Sequence, residues 1–303
     1  MAGLGSTLGY AVHQGPQITQ RQQTREPVWF DVMDGTITGN RTLQRSRGTA
    51  DLAFRHGDLV RLYQRGAAKA LLPRTYGPFQ EAVLVNTAGG ITGGDRYRYG
   101  CDANASRVVV TTQAAERAYR SSTKDIASME VRLAATGGAA LHWLPQETIL
   151  FDGSRLVRHI NVELDRTSEC LVLESLVFGR HAMGERLQTC HFTDSWRIHR
   201  DGRLVHAEAL SLTDDIGQLL AATAAAGHAQ MAATLVYVGP RLDLIQADIS
   251  AVLPSLASRA AISCWQGRFV LRLMATETMA GKADLSRILG SLRGQQVPRV
   301  WQS

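Results

Sequence analysis

From Trp29 to Leu212 the chain is a succession of short apolar or alternating runs, and this pattern restricts the fold more than any other feature. The runs read "EAVLVNT", "SRVVVTTQ", "MEVRLAA", "ALHWLPQ", "ETILF", "LVRHINVEL", "ECLVLESLVF", "SWRIHR" and "RLVHAEALSL", with Gly, Asp, Asn or Pro between most of them. No helix-length pattern of 10 to 15 residues separates one run from the next, which argues against a doubly wound sheet and for stacked antiparallel or mixed sheets. The expected class is mainly β.

After Asp215 the pattern changes. "IGQLLAATAAAGHAQMAATL" is rich in alanine, and "DISAVLPSLASRA" and "ETMAGKADLSRILGSLRG" place apolar residues at helical spacing. Between them "TLVYVG" and "GRFVLRLMA" return to strand pattern. This predicts helix, strand, helix, strand, helix, an α+β tail on the β body. Residues 1–27 are rich in Gly, Gln, Thr and Arg without hydrophobic periodicity and read as a flexible N-terminal extension. Residues 28–303 read as a single domain. At 303 residues and 45% hydrophobic, the chain can bury a sizeable core.

The formal charge is +6, but the basic residues are interleaved with acids and form no run of the kind that tracks nucleic acid. Only Lys69, Lys124 and Lys282 are lysines, so the positive surface is guanidinium, suited to bidentate pairing with carboxylates. Cys101, Cys170, Cys190 and Cys264 lie far apart with no CxxC pair, which favours a reduced, cytoplasmic protein. No stretch approaches 18 uninterrupted apolar residues, and the start lacks a charged segment followed by an apolar one. Neither a membrane span nor secretion is expected.

The densest local signal is "NTAGGITGGD", Asn86 to Asp95, with four glycines in ten positions. A Walker loop needs Lys and a hydroxyl after its glycines, whereas here Asp95 follows and would repel phosphate. The GxGxxG fingerprint is absent, and "RYRYG" does not start a helix. The plain reading is a pair of tight turns joining two strands, with glycines supplying positive φ. It leaves open why two glycine pairs stand so close together, since glycine also serves where another backbone must approach.

No GxSxG elbow, HExxH helix or EF-hand loop is present, and the histidines are scattered. "TTQAAERAYRSS" carries Glu116, Arg117 and Arg120 around Tyr119, either as a polar recognition surface or as a loop with ordinary surface pairs. Carboxylates within apolar runs carry more information, because a buried carboxylate is costly without a partner or a role. Glu174 in "CLVLESLVF" and Glu208 in "VHAEALSL" are the two such acids, and pairing with an arginine is their ordinary fate.

Together these motifs resemble the urease accessory protein UreD family, also called UreH. The resemblance rests on "NTAGGITGGD", "TTQAAERAYRSS", "WLPQETILFDGSR", "ESLVFGRHAMGE" and the terminal "PRVW", in this order, with weaker similarity in "RTYGPFQEAVLV". The motif positions are Asn86, Gly89, Gly90, Gly93, Gly94, Glu116, Tyr119, Arg120, Glu147, Gly179, Arg180, Gly184 and Glu185. The resemblance implies a β-helical stack of sheets with a few helices. It also implies a non-catalytic, cytoplasmic maturation factor that binds apo-urease with UreF and the GTPase UreG and helps load nickel.

In that family an interior passage is proposed to carry nickel toward urease, so no cofactor is expected to be bound permanently and nickel would be in transit. A route of this kind needs carboxylates that attract a divalent cation without enclosing it. Carried over by motif, Asp95, Glu174 and Glu208 are the acids expected to line it. The readings to be separated are a delivery subunit, an adaptor that never touches nickel, and an enzyme using the glycine loop, which lacks any nucleophile and base signature.

Overall fold

The computed structural model describes residues 44–294 and 296–301, and the 1–27 extension and the expected domain start at residue 28 lie outside them. Strands β1 (Arg47–Arg55), β2 (Asp58–Gly66) and β3 (Ala68–Leu71) open the described chain. The glycine loop then joins β4 (Gln80–Asn86) to β5 (Arg96–Asn104). There follow β6 (Arg107–Gln113), β7 (Glu116–Ala118), β8 (Ala127–Thr136), β9 (Ala140–Leu144) and β10 (Thr148–Leu150). Next come β11 (Ser154–Leu164), β12 (Glu169–Phe178), β13 (Thr189–Arg200) and β14 (Arg203–Asp215). The remainder is α1 (Gly217–Ala221), β15 (Met231–Val238), α2 (Leu242–Val252), β16 (Arg259–Trp265), β17 (Arg268–Ala275) and α3 (Thr278–Arg293).

Between β4 and β13 the chain passes back and forth between two sheets, with the short β7 and β10 paired to each other and, through β10, to β12 of the second. One runs β14-β13-β11-β8-β5-β1-β2, and the other β16-β17-β15-β12-β9-β6-β4-β3. The inner pairs β5/β8, β8/β11 and β11/β13 are parallel, as are β4/β6, β6/β9 and β9/β12. Each coil of chain therefore lays one strand on each sheet and climbs by one step, which gives a β-helical stack. Antiparallel hairpins close its ends, β1/β2 and β13/β14 in one sheet and β16/β17 in the other. The expected fold class is the observed one.

The burial patterns follow from this layering. The first sheet has one face on the core and one in water, so β11 alternates strictly, with Leu156, Arg158, Ile160 and Val162 inward. Strand β12 is buried at every position because sheet covers one face and helices α2 and α3 the other, which explains the unbroken apolar run "CLVLESLVF". Helix α3 sets Leu285, Ile288, Leu289 and Leu292 against that second face and stops at Gly294, left-handed at φ 60°.

The C-terminal third departs from the helical expectation in two places. Helix α1 covers only Gly217–Ala221, not the whole alanine-rich stretch, and the chain turns through positive φ at Gly227 and His228. Met231, Ala233 and Leu235 then alternate into the core beneath the helices, so pairing between β12 and β17 overrides alanine's helix preference. "DISAVLPSLASRA" is likewise shorter as a helix. Helix α2 ends at Val252 before Pro254, and the segment finishes in β16.

Candidate functional site

The glycine loop carries the chain from one sheet to the other, and Asp95 fastens its end. Its carboxylate, 3% exposed, accepts the backbone N–H of Ser46 at 2.7 Å and of Thr92 at 2.9 Å. Asn86, at the loop's start, donates to the Gly90 carbonyl (3.1 Å) and to Glu116, and accepts from the Tyr97 hydroxyl at 2.8 Å. Burial pushes the Glu116 carboxyl up to about 7, against the lowering effect of the hydrogen bond from Asn86.

A Cβ at Gly90 would overlap the Tyr119 ring, and one at Gly93 would overlap Ser121 and the Asp125 carbonyl. Gly89, Gly90 and Gly94 adopt positive φ, 79°, 156° and 88°, and a Cβ at Gly94 would also press on the Arg45 side chain. The paired glycines thus serve both ends, the turn itself and the close approach of the chain between Arg117 and Asp125. The contact is a short stretch of pairing, with Ile91 N–H donating to the Arg117 carbonyl and Tyr119 N–H to that of Ile91, both at 2.8 Å.

The other motifs continue from the same place. Tyr119 meets Phe151 edge-on at 4.8 Å, and Arg120 pairs with Asp152 at 2.5 Å. Asp152 N–H donates to Glu185 at 2.8 Å, and Glu185 also takes the Arg180 guanidinium, which lies over the Phe151 ring. Gly179 (φ 85°) and Gly184 (φ 74°) turn the chain between them. Glu147 binds Lys282 of α3 at 3.0 Å, tying the strands to the terminal helix. Residues far apart in sequence thus form one connected polar and aromatic seam.

Glu174 stands apart from this seam, in the space between the two sheets. It is 4% exposed and faces Arg158 on β11, which is 1% exposed and pairs across the register with Asp194 on β13. Arg158 donates to Glu174 through Nη1, and to Asp194 through Nε (3.1 Å) and Nη2 (2.6 Å). The second Glu174 oxygen accepts the indole N–H of Trp143 at 2.8 Å. Burial raises the Glu174 carboxyl to about 7; Arg158 pulls it down and Asp194 pushes it up again. Burial would lower the Arg158 guanidinium, but the charges of Asp194 and Glu174 outweigh it and the net shift is upward.

Glu208 lines the same small cavity, ≈ 140 Å³, together with Arg158, Glu174, Asp194, Trp196 and Arg272. It is half-buried, pairs with Arg272 at 2.7 Å and lies 3.8 Å from His206 Nε2. Burial would raise its carboxyl, yet the nearby His206 and the hydrogen bond from Arg272 hold it below the ordinary range. The structure therefore brings Glu174 and Glu208 to one cavity, while Asp95 does not line it. Among the described residues, no three His, Cys, Asp or Glu side chains converge on a metal position.

Sequence reasoning missed Arg158 and Asp194. The signal was their phase, since each occupies an inward position of an alternating strand, Arg158 between Leu156 and Ile160 and Asp194 between Phe192 and Trp196.

The description "UreD urease accessory protein" belongs to a family model that matches residues 46–302. The chain belongs to the UreD family. It is 42% identical over 273 residues to the "Urease accessory protein UreD" of Rhizobium leguminosarum bv. viciae, an alignment covering 88% of this chain and 98% of the relative. The "Urease accessory protein UreD 1" of Brucella melitensis biotype 1 is 40% identical over 285 residues, 89% of this chain and 98% of its own length. Membership makes the chain a urease accessory protein with a role in urease maturation. No helix among the described residues is long and apolar enough to cross a membrane.

Proposed function

We propose that the chain is a non-catalytic, cytoplasmic assembly factor that joins UreF, the GTPase UreG and apo-urease and conducts nickel toward the urease centre. The observation that carries this reading is the inter-sheet cavity of ≈ 140 Å³, which Glu174 and Glu208 both line and where Glu208 meets the half-exposed Arg272. Each carboxylate already has a protein cation beside it, Arg158 or Arg272. Such an arrangement supplies no closed ligand set, which suits transit more than storage. Asp95, whose oxygens accept two backbone N–H groups, serves in this reading to fix the loop.

The test is co-expression of apo-urease with its accessory set, with and without this chain, followed by urease activity and nickel content. Unloaded urease on omission is expected, and full loading without the chain would overturn the maturation role. Neutralising Glu174 and Glu208 together, with the loop-fixing Asp95 left in place, then separates delivery from scaffolding. Intact nickel loading in that variant would remove the passage and leave the adaptor.

A further inference from the structure

Arginines on strands normally reach solvent, and a fully buried one has to be matched charge for charge. Arg158 is matched by two carboxylates. Its hold on Asp194 is bidentate and lies between register partners on adjacent parallel strands. Its hold on Glu174 is a single N–H crossing from one sheet to the other. A bidentate fork is the stronger and more directional of the two, so the Glu174 contact is the one that yields first.

The cavity beside this triad has largely apolar walls, Leu176, Leu210, Leu273 and Met274 among them, onto which a few polar groups converge. Trp196 lines it at 1% exposed, and its indole N–H has no partner in the described structure. A buried N–H of this kind calls for an acceptor, such as water or the hydration shell of an ion. The ≈ 140 Å³ volume holds only a few molecules of that size, each taking about 30 Å³. The same space is walled by the carboxylates of Glu174, Asp194 and Glu208. With the guanidinium in place, a second cation next to Glu174 would be repelled at close range.

We propose that Arg158 gates this route: its guanidinium occupies the position a divalent cation would take between Glu174 and Asp194, and the cation enters as the guanidinium leaves Glu174 and stays on Asp194. The inference rests on the passage reading above. It assigns the missing ligand cluster a cause, because the centre of the would-be site is filled by a cation that belongs to the protein.

Removing the guanidinium turns the gate into a trap. The test is a Ni²⁺ titration of the purified full chain, comparing wild type, Arg158→Gln and the double variant Arg158→Gln/Glu174→Gln, with thermal melts in parallel. Arg158→Gln is expected to take up one Ni²⁺ per chain at least ~10-fold more tightly than wild type, with a melt that shifts upward on adding metal. The double variant is expected to return to wild-type binding. A folded Arg158→Gln chain that binds no better than wild type overturns the gate. Should that variant fold only with Ni²⁺ present, the trap is supported. Should it fold under neither condition, Arg158→Lys decides, because its shorter ammonium cannot bridge both carboxylates: tighter Ni²⁺ binding than wild type supports the gate and equal binding overturns it. Failure of the passage itself reads out separately, as normal urease loading by Glu174→Gln.

Discussion

The indole N–H of Trp301 donates to the carbonyl of Leu144 at 3.1 Å, which pins the end of the described chain to the last residue of β9. The Val300 carbonyl accepts from Gln146 at 2.8 Å on the same side, and Thr111 on β6 stands 3.3 Å from the indole nitrogen. The terminal motif "PRVW" is therefore a clasp over the helix-covered face of the second sheet. Replacing Trp301 by Ala removes a large ring and both polar contacts, with an expected loss of about 3–5 kcal/mol. Trp301→Phe restores most of the apolar contact and should lose about 1–2 kcal/mol, the share of the hydrogen bonds. Urea denaturation of the three proteins measures both, and equal losses would show that the hydrogen bonds, not the ring, hold the clasp.

The paired glycines predict a contrast between neighbours. Gly93→Ala places a methyl against the Asp125 backbone carbonyl, which cannot swing away, and should cost about 1–3 kcal/mol or prevent the loop from closing. Gly89→Ala meets nothing within 4 Å and has only its φ of 79° to contend with, a cost of about 1–2 kcal/mol. Loss of partner binding by Gly93→Ala with a preserved Gly89→Ala complex, in a pull-down with UreF and apo-urease, would place the loop's packing on the route to assembly. Identical behaviour of the two would show that the crowding at Gly93 is not what assembly depends on.

Glu116 gives the fold a pH dependence of definite sign. Its carboxyl titrates near 7 in the folded chain, above the ordinary 4.5, because burial disfavours the charge. The folded state therefore binds the proton more tightly than the unfolded state. The stabilisation is complete below about 4.5 and is lost as the pH rises through about 7. Glu116→Gln keeps an acceptor for Asn86 and carries no charge, so melting temperatures of this variant should be flatter than wild type between those values. An unchanged slope would contradict the assignment.

The architecture was legible where a strand has two different faces or none in water. "LVRHINVEL" alternates because β11 has core on one side and solvent on the other, and "ECLVLESLVF" is continuous because β12 is covered on both. Strands β1 and β2 carried no such mark, since β2 is exposed at every position and its charges break the alternation. The alanine-rich segment misled for the opposite reason. Its local preference is helical, but Met231, Ala233 and Leu235 are needed as one face of a central strand. Within the site, Glu174 stood out as an acid in an apolar run, whereas Arg158 and Asp194 sat among ordinary polar positions. Only their phase pointed inward, and only the stacking of the two sheets set them opposite Glu174.

The metal content of urease matured with Glu174→Gln reports whether nickel passes Glu174 on its way to the enzyme. Glutamine retains an oxygen for Trp143 or Arg158 and removes the charge, while Arg158 keeps Asp194, so the fold and the complex with UreF and UreG are expected to persist. A passage through Glu174 predicts a normal complex that leaves urease with nickel near the level seen when this chain is omitted. Urease carrying its full nickel complement from the Glu174→Gln complex would contradict it.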